Sequence, residues 1–143
     1  MALTTSLRKA DVAAVATPLL IVAVPQGAMP QSLAALDAAA GGALARLYAT
    51  RDFTGKKDQV ASVYPAGPAA RILLVGAGDA ASVRTIRRAA SVAGKRARLG
   101  GVKEAVYYLT PEARGAVPEG DAVQATAEGL AYGVWHFDAL KLP

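Results

Sequence analysis

One stretch of the sequence restricts the possible folds more than any other: an apolar run, two glycines and a long helical segment. The run Arg71–Val75 is aliphatic after its arginine, and Gly76-Ala77-Gly78 follows it directly. From there to about Leu99, apolar residues recur at helical spacing, namely Val83, Ile86, Ala90, Ala93 and Ala97. This order predicts a buried strand, a tight glycine turn and an amphipathic helix that Asp79 is well placed to cap.

Strands are predicted at four further places. Leu19–Val24 is a continuous aliphatic run, which is typical of a strand that is covered on both faces. Gln59–Tyr64 alternates between apolar and polar residues, and Val102–Leu109 is rich in valine and tyrosine. The segment Leu3–Lys9 alternates more weakly and is predicted as an edge strand.

The segments between these strands have helical character, apart from two predicted loops. Helices are predicted after Pro30, over Ala43–Tyr48, and from an Asp121 cap to about Trp135. The polar stretch Arg51–Asp58 and the segment Pro111–Gly120 are predicted as loops. Because strands and helices alternate without an internal repeat or a second domain boundary, the sequence predicts one layered α/β domain with a largely parallel sheet.

Length and composition fit a single folded domain. The chain has 143 residues, of which 53% are apolar, and much of that fraction is alanine. The chain contains no cysteine, which excludes disulfides, thiolate metal sites and cysteine nucleophiles. The formal net charge of +5 raises the expectation of an anionic partner such as nucleic acid, but it does not bear on the fold.

The amino-terminal region has some features of a signal peptide. Arg8 and Lys9 precede the apolar run Val12–Val24, but Asp11 stands at its start and Pro18 interrupts it. No apolar stretch approaches the roughly 20 residues that a membrane-spanning helix needs. We therefore expect a cytoplasmic protein without a membrane partner.

The glycine turn has two interpretations. Gly76-Ala77-Gly78-Asp79-Ala80-Ala81 fits the dinucleotide fingerprint, with Gly76, Gly78 and Asp79 as the candidate anion-binding or nucleotide-binding residues. Two features oppose the nucleotide interpretation. The Asp79 carboxylate would lie beside the negatively charged pyrophosphate, and the next strand, Val102–Leu109, does not end in the acidic residue that belongs to the fingerprint. The favoured interpretation is a tight strand-to-helix turn that needs glycine.

A set of basic residues on the following helix is a second candidate contact surface. Since successive helical residues turn by about 100°, the set falls within one stripe beside the apolar face; its members are Arg84, Arg87, Arg88, Lys95 and Arg98. Such a stripe suits DNA phosphates, yet a solvated or subunit-facing helix surface explains it better, because no aromatic residue lies nearby to stack on bases.

Catalytic and metal-binding residues are not assigned in this chain. His136 is the single histidine, and its neighbours Trp135 and Phe137 indicate a structural or linker position. The eleven carboxylates form no metal-binding spacing, and no serine has a nucleophile-elbow context. We expect no catalysis and no cofactor in this chain alone.

Several motifs together resemble the amino-terminal domain of the leucyl (cytosol) aminopeptidase family. They begin with Leu36-Asp37 and Gly41-Gly42-Ala43-Leu44, and continue with Asp52-Phe53-Thr54-Gly55-Lys56 and Ile72–Gly78. They end with Ala127–Gly133, followed by Trp135-His136-Phe137-Asp138 and Lys141. The resemblance covers nearly the whole chain in the order that the family shows.

The resemblance implies more about fold and partners than the residues do. It implies a three-layer α/β, macro-domain-like fold with a mostly parallel or mixed central sheet over residues 1–135, and a linker to a catalytic domain that starts at residues 136–143. It implies a parent aminopeptidase with two divalent metal ions (zinc or manganese), usually a hexamer, with DNA as a further partner. The family's catalytic signature, Asn-Thr-Asp-Ala-Glu-Gly-Arg-Leu, is absent from this sequence, so no catalytic or metal residue is carried over.

The leading hypothesis for the function is a non-catalytic domain that serves assembly or regulation of the parent enzyme. The alternatives are a module that binds a nucleotide or ADP-ribose and a domain that binds DNA.

Overall fold

A computed structural model describes residues 6, 11–99 and 101–141, without the side chains of residues 98–99 and 134–141. Within these residues, four strands form one sheet: β1 (Leu20–Val24), β2 (Val60–Val63), β3 (Ile72–Gly76) and β4 (Val106–Leu109). The same described part of the chain has five α-helices around the sheet: α1 (Ala34–Ala39), α2 (Ala43–Thr50), α3 (Val83–Leu99), α4 (Pro111–Arg114) and α5 (Glu119–Lys141). Short 3₁₀ turns occupy Val12–Ala14 and Gln31–Leu33. The predicted edge strand Leu3–Lys9 lies outside the described residues.

The sheet is mixed, with strand order β2-β3-β1-β4. β1 lies between β3 and β4 and runs parallel to both, whereas β2 pairs antiparallel with β3. All five residues of β1 and of β3 are buried, which explains their unbroken aliphatic sequences. The three parallel strands confirm the prediction of a largely parallel sheet, and the antiparallel strand β2 makes it mixed.

Side chains alternate between the two faces of the sheet and so create two cores. Leu20, Val22 and Val24 point towards α1 and α2, where they pack with Leu36 and Leu44. Leu19, Ile21 and Ala23 point to the opposite face, where alanines of α3 cover them. Helices therefore lie on both faces of the sheet, which gives the predicted three-layer α/β architecture.

Helix α5 packs along α3 as the outermost element on that side. The contact is close because Gly94 of α3 faces Leu130, while Gly129 and Gly133 of α5 face the backbone of α3. Near the start of α5, Ala122 and Ala125 pack with Ile86 in a small separate core. The contact between α3 and α5 is thus made largely by glycine and alanine, in line with the alanine-rich composition.

Three predictions for the segment after α3 were wrong. β4 begins at Val106, not Val102. The predicted loop after it contains α4, because Thr110 accepts a hydrogen bond from the Ala113 amide and Pro111 occupies the first helical position. The last helix begins at Glu119, so Asp121 lies in its first turn and is not its cap.

Two observations bear on the end of the chain and on membranes. Helix α5 continues past Trp135 to Lys141, through most of the segment predicted as the start of a linker. The domain boundary after residue 135 stays a prediction. Among the described residues, no helix is both long and apolar enough to cross a membrane.

Candidate functional site

The glycine turn lies at the edge of the sheet where ligands usually bind in α/β proteins. The parallel strands β1, β3 and β4 all end at this edge, at Val24, Gly76 and Leu109. In open α/β sheets, ligands bind in crevices outside the carboxyl ends of the strands. Of the predicted anion-binding residues, Gly76 ends β3 and Gly78 and Asp79 follow it at this edge, which makes it the candidate site.

The backbone amides of the glycine turn already have partners within the chain. The amide of Gly76 donates to the Gln59 carbonyl at 2.8 Å, and that of Ala77 to the Val24 carbonyl at 2.8 Å. The amide of Gly78 donates to the Gly55 carbonyl at 3.1 Å. A phosphate cradle needs amides that point at the ligand, so this geometry favours the tight-turn interpretation over the nucleotide interpretation.

The loop between α2 and β2 fills the space in front of this turn. Phe53 is buried and packs edge-on against Tyr48, with ring centroids 5.6 Å apart. Gly55 follows with φ +76° and lies against Pro25. A Cβ atom added to Gly76 would meet the Gly55 carbonyl carbon at 2.5 Å. The backbone of this loop therefore touches both the segment after β1, at Pro25, and the glycine turn, at Gly76. Only glycine fits at positions 55 and 76.

Gln59 holds this loop in place through its side-chain oxygen. The oxygen accepts hydrogen bonds from the amides of Thr54 and Lys56, at 3.0 and 3.1 Å. The Thr54 hydroxyl donates to the same oxygen at 3.3 Å. The amides of this loop thus bond to a half-buried glutamine and not to water. The loop is therefore held against the glycine turn, and we call this filled end of the sheet the closed edge.

The helix after the turn is capped by a serine, which corrects the prediction for Asp79. Helix α3 starts at Val83, and the Ser82 hydroxyl accepts a hydrogen bond from the Thr85 amide at 3.1 Å. The Thr85 hydroxyl in turn accepts from the Ser82 amide at 3.0 Å. Asp79 is exposed three residues before this cap. Its carboxylate therefore lies in the connection between the turn and the helix.

A carboxylate after β4 ties down the chain after β1. Glu112 accepts hydrogen bonds from the amide and the hydroxyl of Ser32, at 3.1 and 2.6 Å. Desolvation acts to raise the pKa of Glu112, but hydrogen bonds from Ser32 and from the Glu112 backbone together outweigh it, and the pKa is lowered. The segment after β4 is thereby hydrogen-bonded to the segment after β1.

The predicted basic stripe is divided between two neighbouring elements. Arg87 pairs with Glu128 of α5 at 3.1 Å, and Arg88 forms a two-pronged pair with Asp58 at 2.8 and 2.9 Å. Arg84 and Lys95 are exposed, and the Arg98 side chain lies outside the described residues. Two of the five predicted DNA or subunit contacts are thus neutralised within the chain.

The Arg88–Asp58 pair predicts a measurable pH dependence of stability. The hydrogen bond from Arg88 lowers the pKa of Asp58, so the ionised form stabilises the fold. This stabilisation is present above the unfolded pKa of about 3.9 and is lost as the pH falls through the folded pKa. We expect Asp58→Asn to lower the free energy of unfolding by about 0.2–1 kcal/mol at pH 7 and by less below about pH 3.

Asparagine is the suitable replacement because Asp58 has φ +69°, a conformation that asparagine tolerates. Urea unfolding of both proteins at the two pH values measures the difference. Asp79→Asn is the matched control, since Asp79 is exposed and has no ion pair within the described part of the chain. A loss from Asp58→Asn that stays the same at low pH would contradict the assigned role of the pair.

Metal ligands do not come together in the part of the chain that is described. There, no three histidine, aspartate or glutamate side chains are placed to hold a metal ion. The backbone of His136 lies in α5, but its side chain is not described. The structural role predicted for this histidine stays a prediction.

Gln59, Ser82 and Glu112 were missed by sequence reasoning although they organise the candidate site. Ser82 had a detectable signal, since serine three residues before Thr85 is a helix-start pattern. Thr110 also had one, because threonine followed by proline is typical of a helix start. Glu112 had none, because its partner Ser32 lies 80 positions away. Gln59 had none either, because its bonds to the nearby amides of Thr54 and Lys56 follow no recognised capping or turn pattern.

Comparison with known proteins identifies the domain type. The family model described as "Cytosol aminopeptidase family, N-terminal domain" matches residues 21–143. A probable cytosol aminopeptidase of Geotalea uraniireducens (strain Rf4) is 37% identical over 112 residues, which cover 74% of this chain and 22% of that protein. Another from Geobacter sp. (strain M21) is 34% identical over 130 residues, covering 88% of this chain and 26% of that protein. The chain thus spans about a quarter of these relatives.

Solved structures show the same fold. A mutant of tomato leucine aminopeptidase superposes with a TM-score of 0.71 at 22% identity, covering 88% of this chain and 27% of that chain. The bottromycin maturation enzyme BotP, solved in complex with manganese, superposes with a TM-score of 0.63 at 24% identity, covering 88% and 25%. In both cases the similarity concerns a minor part of a larger protein.

Proposed function

Because the chain belongs to the cytosol aminopeptidase family, whose amino-terminal domain it matches, we propose that it is the non-catalytic accessory domain of a leucyl aminopeptidase. The parent enzyme releases amino-terminal residues from peptides in the cytoplasm, and this domain supports its assembly or regulation. One observation carries the proposal: the match to the amino-terminal domain model extends over residues 21–143. Both curated relatives are named probable cytosol aminopeptidases and are about four times as long as the matched part.

The metal centre of the parent enzyme belongs, in this proposal, to its catalytic portion. A two-metal site needs several carboxylate or imidazole ligands within one cluster. The described residues do not fit such a centre, because no three potential ligands lie together among them. We therefore assign two divalent ions, zinc or manganese, to the catalytic domain and no step of hydrolysis to this chain.

The closed edge of the sheet supports a structural role for the domain. The amides of Gly76, Ala77 and Gly78 are all bonded to carbonyls of the chain, and the Phe53–Asp58 loop lies against them. An edge of this kind stabilises the fold instead of receiving a ligand. The proposed partners are accordingly the catalytic domain of the same chain and further copies of the parent protein, as a hexamer.

A peptidase assay tests the non-catalytic role. Residues 1–143 are incubated with leucine p-nitroanilide and added Mn²⁺ or Zn²⁺, beside the full-length parent protein. We expect turnover from the full-length protein, lost on chelation of the metal, and none from residues 1–143. Metal-dependent turnover by residues 1–143, abolished by the chelator, would overturn the proposal.

A further inference from the structure

One segment of the loop between α2 and β2 contributes no large apolar side chain to the core. We call residues 54–58 the strap; it starts after the buried ring of Phe53 and ends before Gln59. Thr54 is half-buried, and Gly55 has no side chain. The other three side chains of the strap are charged and exposed; they are Lys56, Lys57 and Asp58. Hydrophobic burial, the main favourable contribution to folding, therefore does not hold the strap in place.

Hydrogen bonds to Gln59 hold the strap instead. The side-chain oxygen of Gln59 accepts from the amides of Thr54 and Lys56 at 3.0 and 3.1 Å, and from the Thr54 hydroxyl at 3.3 Å. The Gln59 amide donates to the Lys56 carbonyl at 3.0 Å. Without this one side chain, the amides of Thr54 and Lys56 would lose their partner.

The strap also supplies acceptors for two neighbouring segments. The Thr54 carbonyl accepts from the Gly27 amide, after β1, at 2.9 Å, and the Gly55 carbonyl accepts from the Gly78 amide at 3.1 Å. The hydrogen bonds of four amides therefore require the strap in its place. We call them the strap-dependent amides; they belong to Gly27, Thr54, Lys56 and Gly78. If the strap moves away as a unit, all four lose their partners at once.

The end of the strap next to β2 is strained and weakly held. Asp58 has φ +69°, a left-handed conformation that is less favourable for an aspartate than for a glycine. Its ion pair with Arg88 is exposed, with 40% of the Asp58 side chain and 56% of the Arg88 side chain accessible. Exposed pairs of this kind contribute little to stability. Opening of the strap therefore relieves backbone strain and breaks one weak pair besides the hydrogen bonds.

We propose that the strap opens and closes as one unit while the sheet stays intact, and that the Gln59 side chain is the clasp that keeps it closed. Segments with few buried apolar contacts open locally, at a lower free energy than the whole domain needs to unfold. The strap meets this condition, because hydrogen bonds and one exposed ion pair hold it. Its opening uncovers the glycine turn at the closed edge, so the strap is a lid over that turn.

Amide hydrogen exchange, followed residue by residue by NMR in the 143-residue chain, tests the unit without any substitution. We expect the protection factors of the four strap-dependent amides to agree within about threefold. The amides of Gly76 and Ala77 bond to the carbonyls of Gln59 and Val24, outside the strap, and should be protected at least about tenfold more. Low concentrations of urea should hardly change exchange at the strap-dependent amides, because opening of the strap exposes little surface.

Gln59→Ala removes the clasp, and Gly27 and Gly78 give the decisive readout. Their acceptors are backbone carbonyls of the strap, which the substitution leaves in place. We expect exchange at both amides to accelerate by the same factor, about tenfold or more, because the closed strap has lost its side-chain hydrogen bonds. Gln124→Ala is the matched control: Gln124 is exposed on α5 and bonds only to Glu128 among the described residues. We expect it to leave both amides unchanged.

Three results would overturn the inference. Protection factors that differ widely among the strap-dependent amides of the unchanged chain would mean that their bonds break independently. Protection equal to that of Gly76 and Ala77 would mean that the strap opens only when the whole domain unfolds. Exchange at Gly27 and Gly78 that keeps its original rate in the Gln59→Ala protein would show that Gln59 is not the clasp.

Discussion

Replacing Gly129 by alanine is expected to lower the free energy of unfolding by about 2–3 kcal/mol, the upper range for overpacking of a tight contact. A Cβ atom at this position would run into the Arg87 carbonyl of α3 and would lie 2.8 Å from the Ala90 Cβ. Both obstacles belong to a packed helix, so relief requires α5 to move away from α3. The effect therefore measures how closely the two helices must approach.

The sign of the effect makes this prediction specific. In an unconstrained helix, alanine is more favourable than glycine by about 0.8–1 kcal/mol, so steric conflict has to reverse the intrinsic preference. Gly120→Ala is the matched control, because Gly120 lies in the same helix and nothing is within 4 Å of its added Cβ. We expect Gly120→Ala to be neutral or slightly stabilising in urea unfolding. If Gly129→Ala were also neutral or stabilising, the close α3–α5 contact would be wrong.

Gly76→Ala is expected to lower the free energy of unfolding by about 3 kcal/mol, because it forces apart two backbones at the closed edge of the sheet. The added Cβ would meet the Lys56 carbonyl and would lie 2.5 Å from the Gly55 carbonyl carbon. Neither is the flexible end of a side chain that can rotate away. The loop around Gly55 would separate from the turn, and the hydrogen bond from the Gly78 amide to Gly55 would be lost.

Gly41→Ala separates this steric effect from backbone strain. Gly41 has φ +67°, and nothing lies within 4 Å of its added Cβ, so alanine there suffers only the cost of a left-handed conformation, about 1–2 kcal/mol. Urea unfolding of both variants gives the comparison. A Gly76→Ala protein that loses no more stability than Gly41→Ala would mean that the edge is loosely packed, and the tight-turn interpretation would lose its support.

The glycine turn illustrates what local sequence can reveal. The aliphatic run before Gly76 and the two glycines predicted a buried strand and a turn because both features depend on neighbouring residues. The start of α3 was misplaced because Asp79 and Ser82 are both capping residues, and the choice between them depends on how far the connection extends. The Ser82–Thr85 pair has the favourable spacing, and the helix starts there.

Whether the candidate site is open to a ligand or filled by the chain depends on contacts between segments that are distant in sequence. The amides of the turn are paired with carbonyls of Val24, Gly55 and Gln59, and no local pattern identifies such partners. For the same reason the division of the basic stripe was not predictable, since Arg87 and Arg88 are adjacent in sequence but pair with Glu128 and Asp58 on different elements. Helical spacing placed these residues on one helix but could not show which carboxylates lie opposite them.

The native protein gives the most direct test of the central claim that this chain is one domain of an aminopeptidase. An antibody raised against residues 1–143 is used to purify the protein from its own cells, and its mass and peptidase activity are measured together. We predict a polypeptide several times heavier than the 14.5 kDa of this chain, which releases amino-terminal residues from peptides and loses that activity on metal chelation. A polypeptide of 14.5 kDa that is purified without peptidase activity would contradict the claim.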